Sequence, residues 1–157
     1  MNWKKLKPYI IWVLLAEGVG LLAGLLTSDA TKIYANTITK PPLAPPAILF
    51  PIVWTVLYAL MGIGAARVAT SPNRKPDNFA LNIFIVQLIV NFFWSLIFFN
   101  AQAFGFAAIW LVLLWVLVMI MIFAFWKVDR LAAWLQIPYL IWLTFAAYLN
   151  FAVYLLN

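Results

Sequence analysis

Five apolar runs, each about as long as a hydrocarbon slab is thick, constrain this chain more than any other feature of its sequence. They cover Tyr9 to Leu26, Ile48 to Val68, Phe79 to Phe99, Phe104 to Trp126 and Ala132 to Leu156. A bilayer core of roughly 30 Å is crossed by about 20 helical residues, so each run is long enough to span with some tilt. Inside lipid every backbone polar group must find a partner within the protein, and a helix provides one for each. Of the 157 residues, 68% are hydrophobic and 9% charged, against roughly half and a quarter in soluble domains. The expected fold is an all-α integral membrane protein: a five-transmembrane-helix bundle, forming one domain over residues 1–157. The first thirty residues also have the outline of a secretory signal, with Lys4, Lys5 and Lys7 ahead of an apolar stretch and Ser28-Asp29-Ala30 at cleavage-site spacing. Glu17 interrupts that stretch, and the segment is read as the first span.

The net charge of +6 does not point to nucleic acid, because Lys and Arg sit in the breaks between apolar runs and form no stripe on a helix face. Topology accounts for them. With five spans, Lys4, Lys5, Lys7, Arg67, Arg74, Lys75, Lys127 and Arg130 share one side, and only Lys32 and Lys40 lie on the other. The positive-inside rule then places the N-terminus in the cytoplasm and the C-terminus outside, for a bacterial cell membrane. The chain has no cysteine and no histidine. That removes disulfides, thiol nucleophiles, the usual zinc sites, histidine-dependent triads and a proximal-histidine haem site.

The one long connection, Thr27 to Ala47, lies on the outer side and contains Pro41, Pro42, Pro45 and Pro46, with Pro51 just inside the next helix. Prolines fix φ and withhold backbone donors, so a stiff, irregular cover over one mouth of the bundle is expected.

Polar side chains inside hydrocarbon are costly and usually point into the bundle. Glu17, Gln87, Asn91 and Asn150 are such residues, and the second span offers Trp54, Thr55 and Tyr58. At 1.5 Å per residue, Trp54, Asn91, Glu17 and Asn150 fall roughly 9 to 14 Å below the outer boundary. Four-residue spacing aligns Gln87 with Asn91 and Ser95, Trp142 with Ala146 and Asn150, and Trp54 with Tyr58. Ala146, between a tryptophan and an asparagine, leaves room for a ligand. The competing reading makes the amides interhelical hydrogen bonds with no ligand at all. Trp3, Trp12, Trp126 and Trp134 fit an interfacial belt, whereas Trp54 and Trp142 lie deeper. Glu17 is expected to hydrogen-bond to a neighbouring helix, and the fourth span, which from Ile109 to Phe125 has no hydrogen-bonding side chain except two indoles, to be the most lipid-facing. Gly20 and Gly24 form a GxxxG pair suited to packing within the bundle or between two copies.

Lys40-Pro41, Pro45-Pro46, Pro51, Val53-Trp54-Thr55-Val56-Leu57-Tyr58, Gln87, Asn91, Trp94, Phe98-Phe99, Pro138-Tyr139-Leu140-Ile141-Trp142, Phe145-Ala146 and Leu149-Asn150 together resemble the TspO/MBR family of tryptophan-rich sensory proteins, translocator proteins and peripheral-type benzodiazepine receptors. The resemblance runs from about Tyr34 to Asn157. It implies a receptor or sensor, commonly a homodimer, that needs no cofactor. Its implied ligands are porphyrins such as protoporphyrin IX, haem precursors and benzodiazepine-like molecules. The implied role is regulation of tetrapyrrole levels; the alternatives are oxidative or light-dependent porphyrin degradation, with Trp54 and Trp142 as electron donors, and tetrapyrrole transport. The pocket residues it implies are Tyr34 from the first loop, Trp54, Asn91, Trp94, Trp142, Ala146 and Asn150, to which Tyr58 and Gln87 are added from spacing. Ile33 and Leu43 stand where the family has tryptophan. The chain also lacks a Lys or Arg after Tyr148 or Tyr154, so the sterol pattern of animal members is absent from its C-terminus.

Overall fold

In the computed structural model, which describes residues 2–157, each apolar run forms a helix, and the five crossings are long and apolar enough to traverse a membrane. The helices are α1 (Trp3–Thr37), α2 (Leu49–Thr70), α3 (Phe79–Ser95), α4 (Phe104–Trp126), α5 (Arg130–Trp134) and α6 (Ile137–Leu156), with α5 and α6 sharing the fifth crossing. The protein is an all-α integral membrane protein. Around the bundle α1 packs on α2, α2 meets α5, the α5–α6 pair packs on α4, α4 on α3, and α3 returns to α1.

The α1–α2 seam is built from small residues. Ala16, Ala23 and Thr27 are buried on α1, and Gly20 between them lies against the Tyr58 ring. Their three- and four-residue spacing puts them on one face. On α2, a Cβ added to Gly62 would collide with the Val13 backbone, so the two main chains touch there. Gly24 points into open space, so the two glycines of the GxxxG pair have different surroundings.

The described helices depart from the expected spans in four ways. First, α1 has 35 residues, roughly 50 Å of helix; half of the expected irregular connection is therefore helical, and only residues 38–48 link α1 to α2. Ser28, Thr31 and Thr37 turn their hydroxyls back onto the carbonyls of Leu25, Ser28 and Ile33, which lets a polar segment stay helical. Second, α3 runs into a π-helical turn, Leu96–Asn100, closed by the Ala101 N–H donating to the Leu96 carbonyl at 3.0 Å.

Third, the last crossing breaks at Leu135–Gln136. Pro138 has no N–H to continue the ladder, and the Gln136 Nε2 donates to the Leu60 and Ala132 carbonyls instead. Fourth, α4 is not the most lipid-facing helix. It buries Leu111, Leu114, Val118 and Met121 in one stripe, whereas α1 buries only three residues. Its two half-buried indoles tie it to its neighbours, Trp110 donating to the Val90 carbonyl at 2.8 Å and Trp115 to the Thr144 hydroxyl at 3.0 Å.

At the basic end Asp129 caps α5, accepting from the Ala132 N–H at 2.9 Å, and its carboxylate binds Arg67 through Nε at 3.1 Å and Nη2 at 2.9 Å. Burial pushes the Asp129 carboxyl up, but the Arg67 hydrogen bond, the Ala132 N–H and the Arg67 charge together outweigh it and hold the group below its ordinary range.

Candidate functional site

The backbones of α2 and α6 scarcely approach one another. Rings fill the interval. Trp54 lies edge-on to Tyr139 at 6.2 Å and tilted against Tyr58 at 5.5 Å, and nearer the loop Phe50 meets Trp142 edge-on at 5.7 Å. Trp142 continues to Phe145 at 5.6 Å, and Phe145 stacks on Tyr148 at 6.3 Å. Both walls follow from sequence spacing: Phe50, Trp54 and Tyr58 recur every four residues on α2, and Tyr139, Trp142 and Phe145 every three on α6. Trp54 and Trp142 are half-buried, while Tyr58 and Tyr139 are buried.

Under the rings runs a chain of buried hydrogen bonds linking three helices. Tyr58 Oη donates to Asn91 Oδ1 at 2.8 Å, Asn91 Nδ2 to Tyr139 Oη at 2.7 Å, and Tyr139 Oη to Gln87 Oε1 at 2.8 Å. The Gln87 amide ends on the Met61 sulfur at 3.8 Å. Each amide oxygen and hydroxyl is thereby satisfied without water, so the chain fixes the floor of the aromatic space. It also fits the interhelical reading of Gln87 and Asn91, each of which bonds to side chains of α2 and α6.

Tyr34, Trp94 and Asn150 form a second group. Trp94 Nε1 donates to Asn150 Oδ1 at 3.0 Å, and Asn150 Nδ2 to the Phe104 carbonyl at 2.8 Å. Trp94 stacks on Phe98 at 5.2 Å, and the Tyr34 ring lies 5.4 Å from both Phe98 and Phe99. The π turn presents these two phenylalanines to α1. Tyr34 is thus a helical residue of α1, a correction to its expected place in the loop, and its ring packs against Phe98 and Phe99. Ala146, buried one turn from both Trp142 and Asn150 on α6, sits between the two groups.

Glu17 departs from its expected hydrogen bonding. It is half-buried one position round α1 from the Ala16–Gly20 face and makes no hydrogen bond to a neighbouring helix among the described residues.

The proline loop is pinned at its outer end. Asn157 accepts from the Thr39 N–H at 3.1 Å and donates to the Thr39 carbonyl at 2.9 Å, and Tyr148 Oη donates to the Pro42 carbonyl at 3.0 Å. Lys40 Nζ reaches the Ala35 carbonyl at 2.7 Å and lies 5.5 Å from the Tyr34 ring centre. Tyr139, the hub of the hydrogen-bond chain, and Asn157 were not picked out as site residues from spacing. A lone hydroxyl in the apolar run Ile137–Trp142, on the face of Ala146 and Asn150, was the available signal for Tyr139.

A family model described as TspO/MBR matches residues 12–156, a stretch that contains both groups of rings and the loop between α1 and α2. The chain belongs to the TspO/MBR family. It is 35% identical to the tryptophan-rich protein TspO of Chlorobaculum tepidum over 155 residues, covering 98% of each chain. It is 40% identical over 123 residues to protein CrtK of Rhodobacter capsulatus, covering 78% of this chain and 77% of that one. Similarity extends to the translocator protein of Sus scrofa, at 34% over 119 residues, 74% of this chain and 70% of the relative. The chain is thus similar in sequence to both bacterial and animal proteins.

Proposed function

We propose that this protein is a membrane receptor for flat hydrophobic tetrapyrroles of the protoporphyrin IX type, which it holds between α2 and α6 beneath the proline loop and whose levels it helps regulate. The observation that carries the reading is the aromatic interval itself: Phe50 and Trp54 face Trp142 and Tyr139 across two helices whose backbones stay apart. Flat walls suit a flat ligand, since stacked rings contribute about 1 kcal/mol each beyond the apolar area they bury. Side chains can part where main chains do not touch. The amides and hydroxyls beside the rings orient a ligand with polar edges, the usual construction of a small-molecule site. Haem precursors with an oxidised macrocycle share that flatness, and benzodiazepine-like molecules offer separate aromatic faces to the same rings.

Protoporphyrin IX titrated into detergent-solubilised protein, followed by tryptophan fluorescence, tests the reading. Saturable quenching is expected, and a linear response through the solubility limit would overturn it. Porphyrin degradation is a second reading, favoured by the contact of oxidisable rings at Trp54, Tyr58 and Tyr139. Product formed with turnover in light or oxygen, and absent in anaerobic dark controls, would support it. The reading includes an N-terminus in the cytoplasm, from the charge asymmetry, and a homodimer that uses the outward side of α1 near Gly24. Single cysteines replacing Asn73 and Thr37 test the orientation, since an impermeant reagent on intact cells should label only position 37.

A further inference from the structure

A recess lies at the opposite end from the aromatic interval. It measures about 700 Å³ and is lined by the end of α2, the following turn, the end of α4 and α5, including Arg67, Ser71, Trp126, Lys127, Asp129 and Arg130. A smaller recess of about 180 Å³ adjoins it, shares Lys127 and Val128, and adds Arg74, Lys75 and Asp77. Across the two, five cations face two carboxylates, and both carboxylates are engaged: Asp129 by Arg67 and the Ala132 N–H, Asp77 by the Phe79 N–H.

The cations differ in what they have left to give. Arg67 spends two nitrogens on Asp129. Lys127 is exposed and its ammonium has no hydrogen-bond partner among the described residues, and Arg130 lies over the Trp126 ring at 5.1 Å, which covers one face of its guanidinium and leaves the N–H edge open. The walls are held: the Ser71 hydroxyl donates to the Val128 carbonyl at 3.2 Å and accepts from the Asn73 N–H at 3.1 Å. Trp126 and Trp134 meet at 6.1 Å beside the recess, both exposed, as is Leu131. Indoles of this kind sit at the headgroup level of a bilayer. Two open cations thus stand at phosphate depth, with exposed apolar surface running from them toward the hydrocarbon.

We propose that this recess seats the headgroup of an anionic phospholipid, with its phosphate between Lys127 and Arg130 and its glycerol and first methylenes against Trp126, Leu131 and Trp134. Basic pockets between transmembrane helices recognise such headgroups, and surface cations there act together. Zwitterionic lipid lacks the net charge and should not be retained.

The test places the full chain in nanodiscs of mixed phosphatidylcholine and phosphatidylglycerol and counts the lipids that stay bound by native mass spectrometry. One phosphatidylglycerol should be retained in preference to phosphatidylcholine. The Lys127→Gln/Arg130→Gln variant should weaken that retention about tenfold or more, and Lys127→Gln alone should weaken it by less. A Lys4→Gln/Lys5→Gln variant, with the same net charge but altered away from the recess, should retain the lipid normally. Equal loss in the two double variants would reduce the effect to unspecific attraction and overturn the proposal. So would equal retention of phosphatidylcholine, or displacement by free glycerol phosphate at matched concentration.

Discussion

On one side α2 meets α1 through Gly62, where main chain lies on main chain at Val13, and through the Tyr58 ring against Gly20; on the other it faces α6 through Phe50 and Trp54, where only rings meet. The same helix therefore has a rigid seam and an adjustable one. A backbone contact has no rotamers, so the first interface can only be kept or broken. Rings held by packing and a few hydrogen bonds can shift when something flat of the same chemistry replaces their partner. Helix separation in lipid is set by side-chain size at the interface, because lipid offers helices little hydrophobic reason to associate.

The largest effect should come from filling the rigid seam. Gly62→Val drives a branched side chain into the Val13 backbone and should destabilise the bundle by about 3 kcal/mol, at the upper end for overpacking. Gly18→Val, with nothing near its Cβ, should leave the melting temperature in detergent unchanged. Equal melting of the two variants would end the distinction between the seams.

Next come the rings. Trp54→Ala and Trp142→Ala should each weaken protoporphyrin IX binding about tenfold, from lost stacking and apolar contact, while the fold by circular dichroism stays intact. The corresponding Phe variants should lose little affinity. If both Ala variants bind normally, the interval between α2 and α6 is packing alone.

Tyr139→Phe keeps the ring but removes the hydroxyl between Asn91 and Gln87, at a cost of about 1 kcal/mol in thermal unfolding. Its porphyrin affinity should fall less than that of Trp54→Ala. A larger fall, with unchanged stability, would move the hydroxyl from the floor of the interval into contact with the ligand.

The smallest effect belongs to the end where α2 is tied to α5. The Asp129 pKa is lowered in the fold, so its contribution is present above the unfolded value of about 4 and is lost as pH falls through the lower folded value. Both partners are partly exposed, so Asp129→Asn should cost only about 0.5 to 1 kcal/mol at neutral pH. The gap in melting temperature between the variant and the parent should close below about pH 4. A gap that persists in acid would trace it to the lost cap on α5.

The crossings were legible because hydropathy over twenty residues is a strong signal, and the polar residues of α2, α3 and α6 because their spacing is helical. The second half of α1 was not. Its helix rests on hydroxyls folded onto their own carbonyls and on Tyr34 packing against Phe98 and Phe99, a contact made across distant segments. The π turn that delivers those phenylalanines leaves no mark in hydropathy. Tyr139 stood in plain view, but a tyrosine in an apolar run reads as hydrophobic until its hydroxyl partners are known. Asn157 lies beyond the last apolar run, where hydropathy carries no signal.

Asn157 binds both the N–H and the carbonyl of Thr39 while also donating to the Val153 carbonyl in the last turn of α6. The cover and the end of the helix therefore belong to one cooperative unit, which opens as a whole or not at all. Any agent that frays the final turn of α6 also releases the start of the proline loop, and any ligand that clamps the loop protects that turn from solvent exchange.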